Sequence, residues 1–325
     1  MRRREFITLV GGTAAWPLAA RAQSEKVWRV GMMDSVPEKL NAVNVGAFRE
    51  QLSRLGYMEG RNLTIVYRSG EGRIDRFPKL VAELINLKVD ILVTRGTPAT
   101  IAAKNATTTI PIVMSSIGEP LETGAVASLA RPGGNVTGLS SFVTELTAKR
   151  IEILRELLPG MSRIALIDNM ENKSVPGQWN ELRRAASGYG IQPQLCDIKR
   201  PEDIEAAFKA AVAEHADALS VGNDSVVIAS RQQIVDLTVK YRLPAIYATR
   251  EFVDAGGLIS YAANYTDLYR RAAIYVDKIF KGAKPGELPV EQPTTFELVI
   301  NLGAARALGL SVPPALLSRA DKVIE

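Results

Sequence analysis

Residues 89–100 read Val-Asp-Ile-Leu-Val-Thr-Arg-Gly-Thr-Pro-Ala-Thr. The apolar run Ile91–Thr94 is followed by Arg95 and then Gly96. Thr97 and Pro98 come next, an N-cap residue type and then the residue favoured at the first helical position. This is a buried strand that turns sharply into a helix. The same alternation extends in both directions. Further apolar runs read as strands at Val27–Met33, Leu63–Tyr67, Ile110–Met114, Val136–Leu139, Ile164–Ile167, Gln192–Cys196, Ala218–Val221, Ala245–Tyr247, Leu258–Tyr261 and Phe296–Ile300. Several are hydrophobic throughout, as parallel strands covered on both faces are. Between them, Val45, Phe48, Leu52 and Leu55 recur at helical spacing, and so do Phe77, Leu80, Val81 and Leu84. Other helices are expected near 98–106, 121–130, 145–158, 202–214, 229–240 and 267–281. The pattern predicts an α/β protein, and the number of strands fits two doubly wound lobes better than one open sheet.

The chain has 325 residues, 46% hydrophobic and 23% charged. That is globular composition, which excludes a disordered, collagenous or coiled-coil chain. Cys196 is the sole cysteine and His215 the sole histidine. An internal disulfide, a cysteine-based zinc site and most histidine-dependent hydrolase triads are thereby excluded, and no metal or cofactor is expected. Cys196 falls inside a strand and His215 in a helix-to-strand turn, where burial and turn formation account for them. Of the net charge of +5, Arg2, Arg3, Arg4 and Arg21 against Glu5 leave +3 in the first 23 residues. The remainder is near neutral and carries no basic stripe for nucleic acid.

Residues 1–22 combine a basic start, a modest apolar stretch and Ala20-Arg21-Ala22, the layout of a secretory signal. Arg3-Arg4-Glu5-Phe6 is similar to the twin-arginine export motif. The apolar stretch is shorter than the roughly 20 residues a membrane-spanning helix needs. The expected mature chain is soluble, periplasmic and not lipid-anchored.

In open α/β sheets, ligands sit beyond the carboxyl ends of the strands. The residues there are Asp34-Ser35, Gly96-Thr97, Ser115-Ser116, Ser140-Ser141, Asp168-Asn169, Asn223-Asp224 and Thr249. Free amides at the start of the Thr97 helix favour an anion such as a carboxylate, although Thr97 also reads as a simple helix cap. Asp224 reads either as the partner of a ligand cation or as a cap for the helix after it. Tyr247 and Tyr261 lie near strand ends, where they would stack on a ligand or pack in the core. No G-x-G-x-x-G follows a strand, and neither a G-x-x-x-x-G-K-S/T loop nor a G-x-S-x-G elbow occurs.

Several strings carry a resemblance to a known family: LGYMEGRNL (55–63), VDILVTRGTPAT (89–100), IPIV (110–113), RPGGNVTGLS (131–140), ILRELLP (153–159), EFVDAGGLISY (251–261) and the run 267–325. Together they resemble the tryptophan/tyrosine-type substrate-binding proteins of ABC transporters. The resemblance implies the type I periplasmic-binding fold, with two Rossmann-like lobes, a hinge of three crossings and a ligand buried between them. It implies no catalysis. It also implies capture of a small polar solute, an amino acid or related carboxylate that is aromatic in the family's name, and delivery by a monomer to a membrane permease. Contacts would come from Ser35, Gly96, Thr97, Ser115 and Ser116 in one lobe, and from Asn169, Asn223 and Asp224 in the other, with Tyr247 nearby. Ser140 joins them from its strand end. The turn-rich run 131–135 places lobe 1 at 23–134, completed by part of 257–285, and lobe 2 at 135–256, completed by part of 286–325. Further hinge candidates are 255–257 and 282–289. A ligand sensor of the same fold and a Rossmann-like enzyme are the alternative readings.

Overall fold

The computed structural model describes residues 26–325, so the leader expectation lies outside the described residues. The strands are β1 (Trp28–Asp34), β2 (Leu63–Ser69), β3 (Ile91–Arg95), β4 (Ile112–Ile117), β5 (Val136–Ser140), β6 (Arg163–Asp168), β7 (Gln192–Asp197), β8 (Ala218–Val221), β9 (Ala245–Tyr247), β10 (Ile259–Ala263), β11 (Phe296–Asn301) and β12 (Lys322–Ile324). The helices are α1 (Ala42–Arg54), α2 (Phe77–Asn86), α3 (Thr97–Ala106), α4 (Thr147–Leu157), α5 (Val175–Gly188), α6 (Ile204–Ala213), α7 (Ser225–Ala229), α8 (Arg231–Tyr241), α9 (Glu251–Asp254), α10 (Tyr265–Phe280), α11 (Leu302–Ala307) and α12 (Pro314–Leu317).

Two sheets result. The first is parallel, with strand order β2-β1-β3-β4-β5. The second runs β12-β11-β10-β9-β8-β6-β7 and is parallel except between β10 and β11. Every residue of β3, β4, β5 and β8 is buried, which explains their unbroken apolar runs. Each sheet is covered on both faces. In the first, Phe48 and Leu52 of α1 pack with Tyr269 and Val276 of α10 on one side, while Phe77, Val81 and Leu84 of α2 fill the other. In the second, Phe208 and Ile234 lie on one face, and Leu154 and Leu182 on the other.

Helix α10 leaves the end of β10, a strand of the second sheet, yet packs against α1, β4 and β5 of the first. The chain therefore passes between the sheets more than once. It leaves the first sheet after Ser140 and enters α4, which packs on α5 and β10. It returns at Asn264, between β10 and α10. It stays on the first sheet through Leu288, whose carbonyl accepts from Thr137, and Glu291, which bridges Leu139. It then crosses again to β11. Arg150 clamps the first crossing: its Nε donates to the Tyr261 carbonyl (2.9 Å) and its Nη1 to the Val143 carbonyl (3.1 Å).

The hinge positions differ from those read off the sequence. The turn 131–135 joins β4 to β5 within one sheet, so residues 136–140 belong to the first lobe's sheet rather than the second. The turn 255–257 leads from α9 into β10 inside the second lobe, and Gly286 still accepts from the Gly133 amide in the first. Glycine-rich runs end elements, whereas the crossings are short glycine-free connections at 141–146, which turn through Phe142 at φ +54°, at Asn264 and at 292–295. The helix expected over 121–130 is a series of turns. Gly124 has φ +72°, outside helical space, and Thr123 Oγ1 folds back onto the Glu119 carbonyl (2.7 Å). Helix α5 and strand β12 were not read from the sequence: Ser174-Val175-Pro176-Gly177 looks like a turn, and Lys322–Ile324 is only three residues long.

Gly138 sits where β4 and β5 slip register, at φ +130°. A Cβ there would lie 2.2 Å from the Met114 carbonyl oxygen, which is backbone and cannot yield. Gly138→Ala is expected to cost on the order of 3 kcal/mol, a fall in melting temperature of roughly 5–10 °C by calorimetry. An unchanged melt would show that this strand pair is not locked.

Candidate ligand-binding site

The carboxyl ends of both sheets face each other across the crossings. From the first lobe come Ser35 after β1, Thr97 at the start of α3, Ser116 in β4 and Ser141 after β5. From the second come Asn172 and Ser174 before α5, and Asn223 and Ser225 around the start of α7. These groups line an inner chamber that also takes in Arg95 and Tyr265. The lobes are shut on each other there. Ser35 Oγ and Ser225 Oγ are 2.8 Å apart, and Asn223 Nδ2 donates to the Tyr265 hydroxyl (3.0 Å). Val36 of the first lobe packs into the second lobe's core beside Val226 and Val227. The free space inside is about 20 Å³, little more than one water occupies. Any amino-acid-sized molecule needs the lobes to part.

Beyond Arg95 and Tyr265 lies an outer chamber of about 560 Å³, within the size range of small-molecule sites. Leu40 and Val43 from the start of α1, and Ala255 and Ala263 from the second lobe, give it apolar wall. The rest of its lining is polar, with charge of both signs from Lys39, Arg231, Arg250, Glu251, Asp254 and Glu297 among amides and hydroxyls.

Charge is concentrated between the chambers. Arg95 ends β3 with only 2% of its side chain exposed. Its Nη2 donates to Glu251 Oε2 (2.6 Å) and its Nη1 to Asn41 Oδ1 (3.2 Å). The guanidinium lies 5.1 Å from the Tyr265 ring centre. Burial works against the Arg95 charge, but Glu251 and Asp34 outweigh it and hold the group well above its ordinary value. Asp34 accepts from Tyr269 Oη (2.6 Å), Asn41 Nδ2 (2.6 Å) and the Val36 amide (3.2 Å). Burial raises its carboxyl all the same, against the pull of Arg95 and these donors.

The second lobe has a separate acid pair. Asp224 caps α7: Oδ1 accepts from the Val226 amide (2.9 Å), and Asn169 and Asn172 donate to its two oxygens (3.3 and 2.8 Å). Asp168 lies beside it, over Gly222, where any Cβ would come within 1.8 Å of Oδ2. Burial raises both acids, and the Asp224 charge pushes Asp168 further up. Burial pulls nearby Arg150 down to about 10.

The structure sorts the residues read from the sequence. Ser35, Gly96, Thr97, Ser116 and Asn223 line the inner chamber. Ser115 instead donates to the Thr94 carbonyl (3.1 Å), where β3 and β4 slip register. Ser140 accepts from the Phe142 amide (3.2 Å) and shapes the first crossing. Asn169 and Asp224 spend their polar atoms on each other and on local backbone, so they support the wall from behind. Tyr247 points into the second lobe's core, stacked on Phe252 at 4.6 Å, because alternate residues of β9 face away from the cleft's edge. Tyr261 likewise packs in the other core layer. Arg95, Glu251 and Tyr265 were missed. Arg95 closes a strand otherwise read as apolar, and Glu251 and Tyr265 open helices. An ionisable residue directly after a buried run was the available signal.

The pattern that defines the family "ABC transporter substrate binding protein" matches residues 33–324. The chain belongs to that family. It is 25% identical over 291 residues to the "Tyrosine-binding protein" of Clostridioides difficile, covering 89% of this chain and 83% of that one. A solved "conserved domain protein" from Vibrio cholerae superposes with TM-score 0.85 at 28% identity, covering 92% of this chain and all of that one. An ABC domain in complex with L-Trp from Streptococcus pneumoniae superposes with TM-score 0.84 at 24% identity and the same coverage. Against the ligand-free, open structure of a Clostridium difficile substrate binding protein, the same 92% of this chain gives only 0.65 at 24% identity. The binding protein is thus the solute-capturing part of an ABC system, built as two α/β lobes of the periplasmic-binding type.

The raised carboxyl of Asp168 makes stability pH-dependent. A carboxyl held above its ordinary 3.8 keeps a proton in the folded state that the unfolded chain releases. Stability is therefore lost as pH rises from about 3.8 through the raised value. In Asp168→Asn the Asp168 share of this slope disappears, leaving that of the other raised acids, Asp34 and Asp224. The wild type is expected to lose stability relative to the variant between pH 4 and pH 8 in urea melts, and parallel profiles would contradict the assignment.

Proposed function

We propose that this chain is the periplasmic receptor of an ABC importer, that it works as a monomer without catalysis, and that its cargo is an amino acid with a large, partly apolar side chain. One observation carries the reading: a chamber walled by hydroxyls and amides from both lobes opens past Tyr265 onto a larger, partly apolar one. The inner chamber offers donors for a carboxylate. Thr97 and the amides at the start of α3 are among them, with the ten-residue helix aligned behind. The outer chamber has room for the side chain. The tyrosine-binding relative and the L-Trp complex support the same class of cargo. The signal-like pattern of residues 1–22 supports export, and among the described residues no helix is long and apolar enough to cross a membrane.

The mechanism is capture by closure. The open form admits the solute, contacts from both lobes then favour the closed form, and the closed shape is what a permease recognises. Micromolar capture needs about −8 kcal/mol, within reach of a few charge-assisted hydrogen bonds and one buried side chain.

The test is a thermal-shift screen of the mature protein, unfolded and refolded to strip bound solute. The panel holds the twenty amino acids, sugars, small acids and amines. An amino acid at about 100 times its dissociation constant should add about 2.7 kcal/mol and raise the melt by several degrees. A shift from sugars alone, or from none of the amino acids, would overturn the reading. In the same assay Asp224→Ala should cost about 1–2 kcal/mol of stability through the lost α7 cap while leaving the solute-induced shift in place.

A further inference from the structure

The Arg95–Glu251 bridge joins the two lobes in the middle of the cleft: Arg95 belongs to β3 of the first sheet and Glu251 to α9 beside the second. It divides the inner chamber from the outer. The inner chamber contains no carboxylate among its lining residues, and Arg95 is their one cation. Glu251 lines the outer chamber. Arg95 does not use its whole donor set. Nη1 goes to Asn41 and Nη2 to Glu251, but Nε is buried without a partner. Nε and Nη2 form one edge of the planar guanidinium, the edge that holds a carboxylate through two parallel bonds. Glu251 occupies only half of it. Its other oxygen, Oε1, accepts from Asn44 Nδ2 (3.0 Å), so Glu251 stays tethered when Nη2 is taken from it.

We propose that this bridge holds the place of a zwitterion. On binding, the α-carboxylate of an amino acid takes the Nε–Nη2 edge of Arg95, the α-ammonium takes the displaced Glu251, and the side chain lies in the outer chamber. The inference rests on the amino-acid reading above and assigns its charge recognition to two residues. No buried charge is left unpaired before or after the exchange, because each partner trades one opposite charge for another. A molecule with only one of the two charges leaves Glu251 without its cation or Arg95 with only the more distant Asp34 (3.9 Å). The site thereby binds plain amines and plain acids of the same shape more weakly than the zwitterion. Asp34 cannot substitute for Glu251, since its oxygens are already held by Tyr269, Asn41 and the Val36 amide.

The experiment is titration calorimetry with three probes of one shape: L-tyrosine, tyramine, which lacks the carboxylate, and 3-(4-hydroxyphenyl)propionate, which lacks the ammonium. If another amino acid gives the larger melt shift, its own matching pair replaces them. Arg95→Gln should weaken the amino acid and the propionate by about 30-fold or more, yet leave the amine bound as tightly or more tightly, since no Arg95 charge is then stranded. Glu251→Gln should weaken the amino acid and the amine by a similar factor and spare the propionate. If Arg95→Gln does not fold, Arg95→Lys keeps the charge without the two-pronged edge. It should weaken the carboxylate-bearing probes by about 10-fold and not the amine. Equal losses for all three probes would make the bridge a simple closing latch and overturn the proposal alone. A wild type that binds no amino acid would overturn the functional reading and this one with it.

Discussion

Everything in this molecule depends on the way the two sheets are joined. The chain passes between them after β5, between β10 and α10, and before β11, so neither lobe is one continuous stretch of sequence. These connections hold the carboxyl ends of both sheets face to face. Strand ends are where backbone amides and short polar side chains are left without ladder partners. Bringing two such edges together yields a cleft rich in hydrogen-bonding groups without any special motif. The crossings are themselves tied down: Arg150 grips carbonyls of Val143 and Tyr261, one on either side of the passage into the second lobe.

The cleft also concentrates charge that the interior would otherwise exclude. Arg95, Asp34 and Glu251 meet between the lobes, and Asp168 and Asp224 lie just behind the second wall. A buried ion costs several kcal/mol unless it is paired and hydrogen-bonded. The first group meets that requirement through Asn41, Asn44 and Tyr269, and Asp224 through Asn169, Asn172 and the α7 amides, whereas Asp168, with Oδ2 buried and unpartnered, is held toward its neutral form. The two groups differ in kind. The acids of the second lobe draw their hydrogen bonds from within that lobe, so opening the cleft leaves those bonds undisturbed. The Arg95–Glu251 bridge spans both lobes, and opening separates its charges. A solute that re-pairs them favours the closed form, which is how a small molecule can move a whole lobe.

Much of the chain's organisation was legible in its residues. All the apolar runs read as strands are strands; for the inner ones burial on both faces demands continuous hydrophobicity and leaves a plain signal, while the edge strands β2 and β7 are only partly buried. Ser35, Thr97, Ser116 and Asn223 were legible as cleft residues from their place after such runs. Ser115, Asn169, Asp224 and Tyr247 share that place yet face the wrong way. Side-chain direction alternates along a strand, and local backbone bonds compete for short polar groups.

By itself the sequence determined the α/β class and the strand-end chemistry, which follow from local spacing of apolar and small polar residues, while its dispersed strings carried the family resemblance. Only the tertiary structure decided where the lobes divide and which charges meet. The lobe boundaries fall in short connections without glycine, while the glycine-rich runs 131–135 and 255–257 merely end elements. Arg95 and Glu251 stand 156 positions apart, and no local pattern links them. Their pairing is a product of the closed cleft, because only there do a β3 end and an α9 start come within hydrogen-bonding distance.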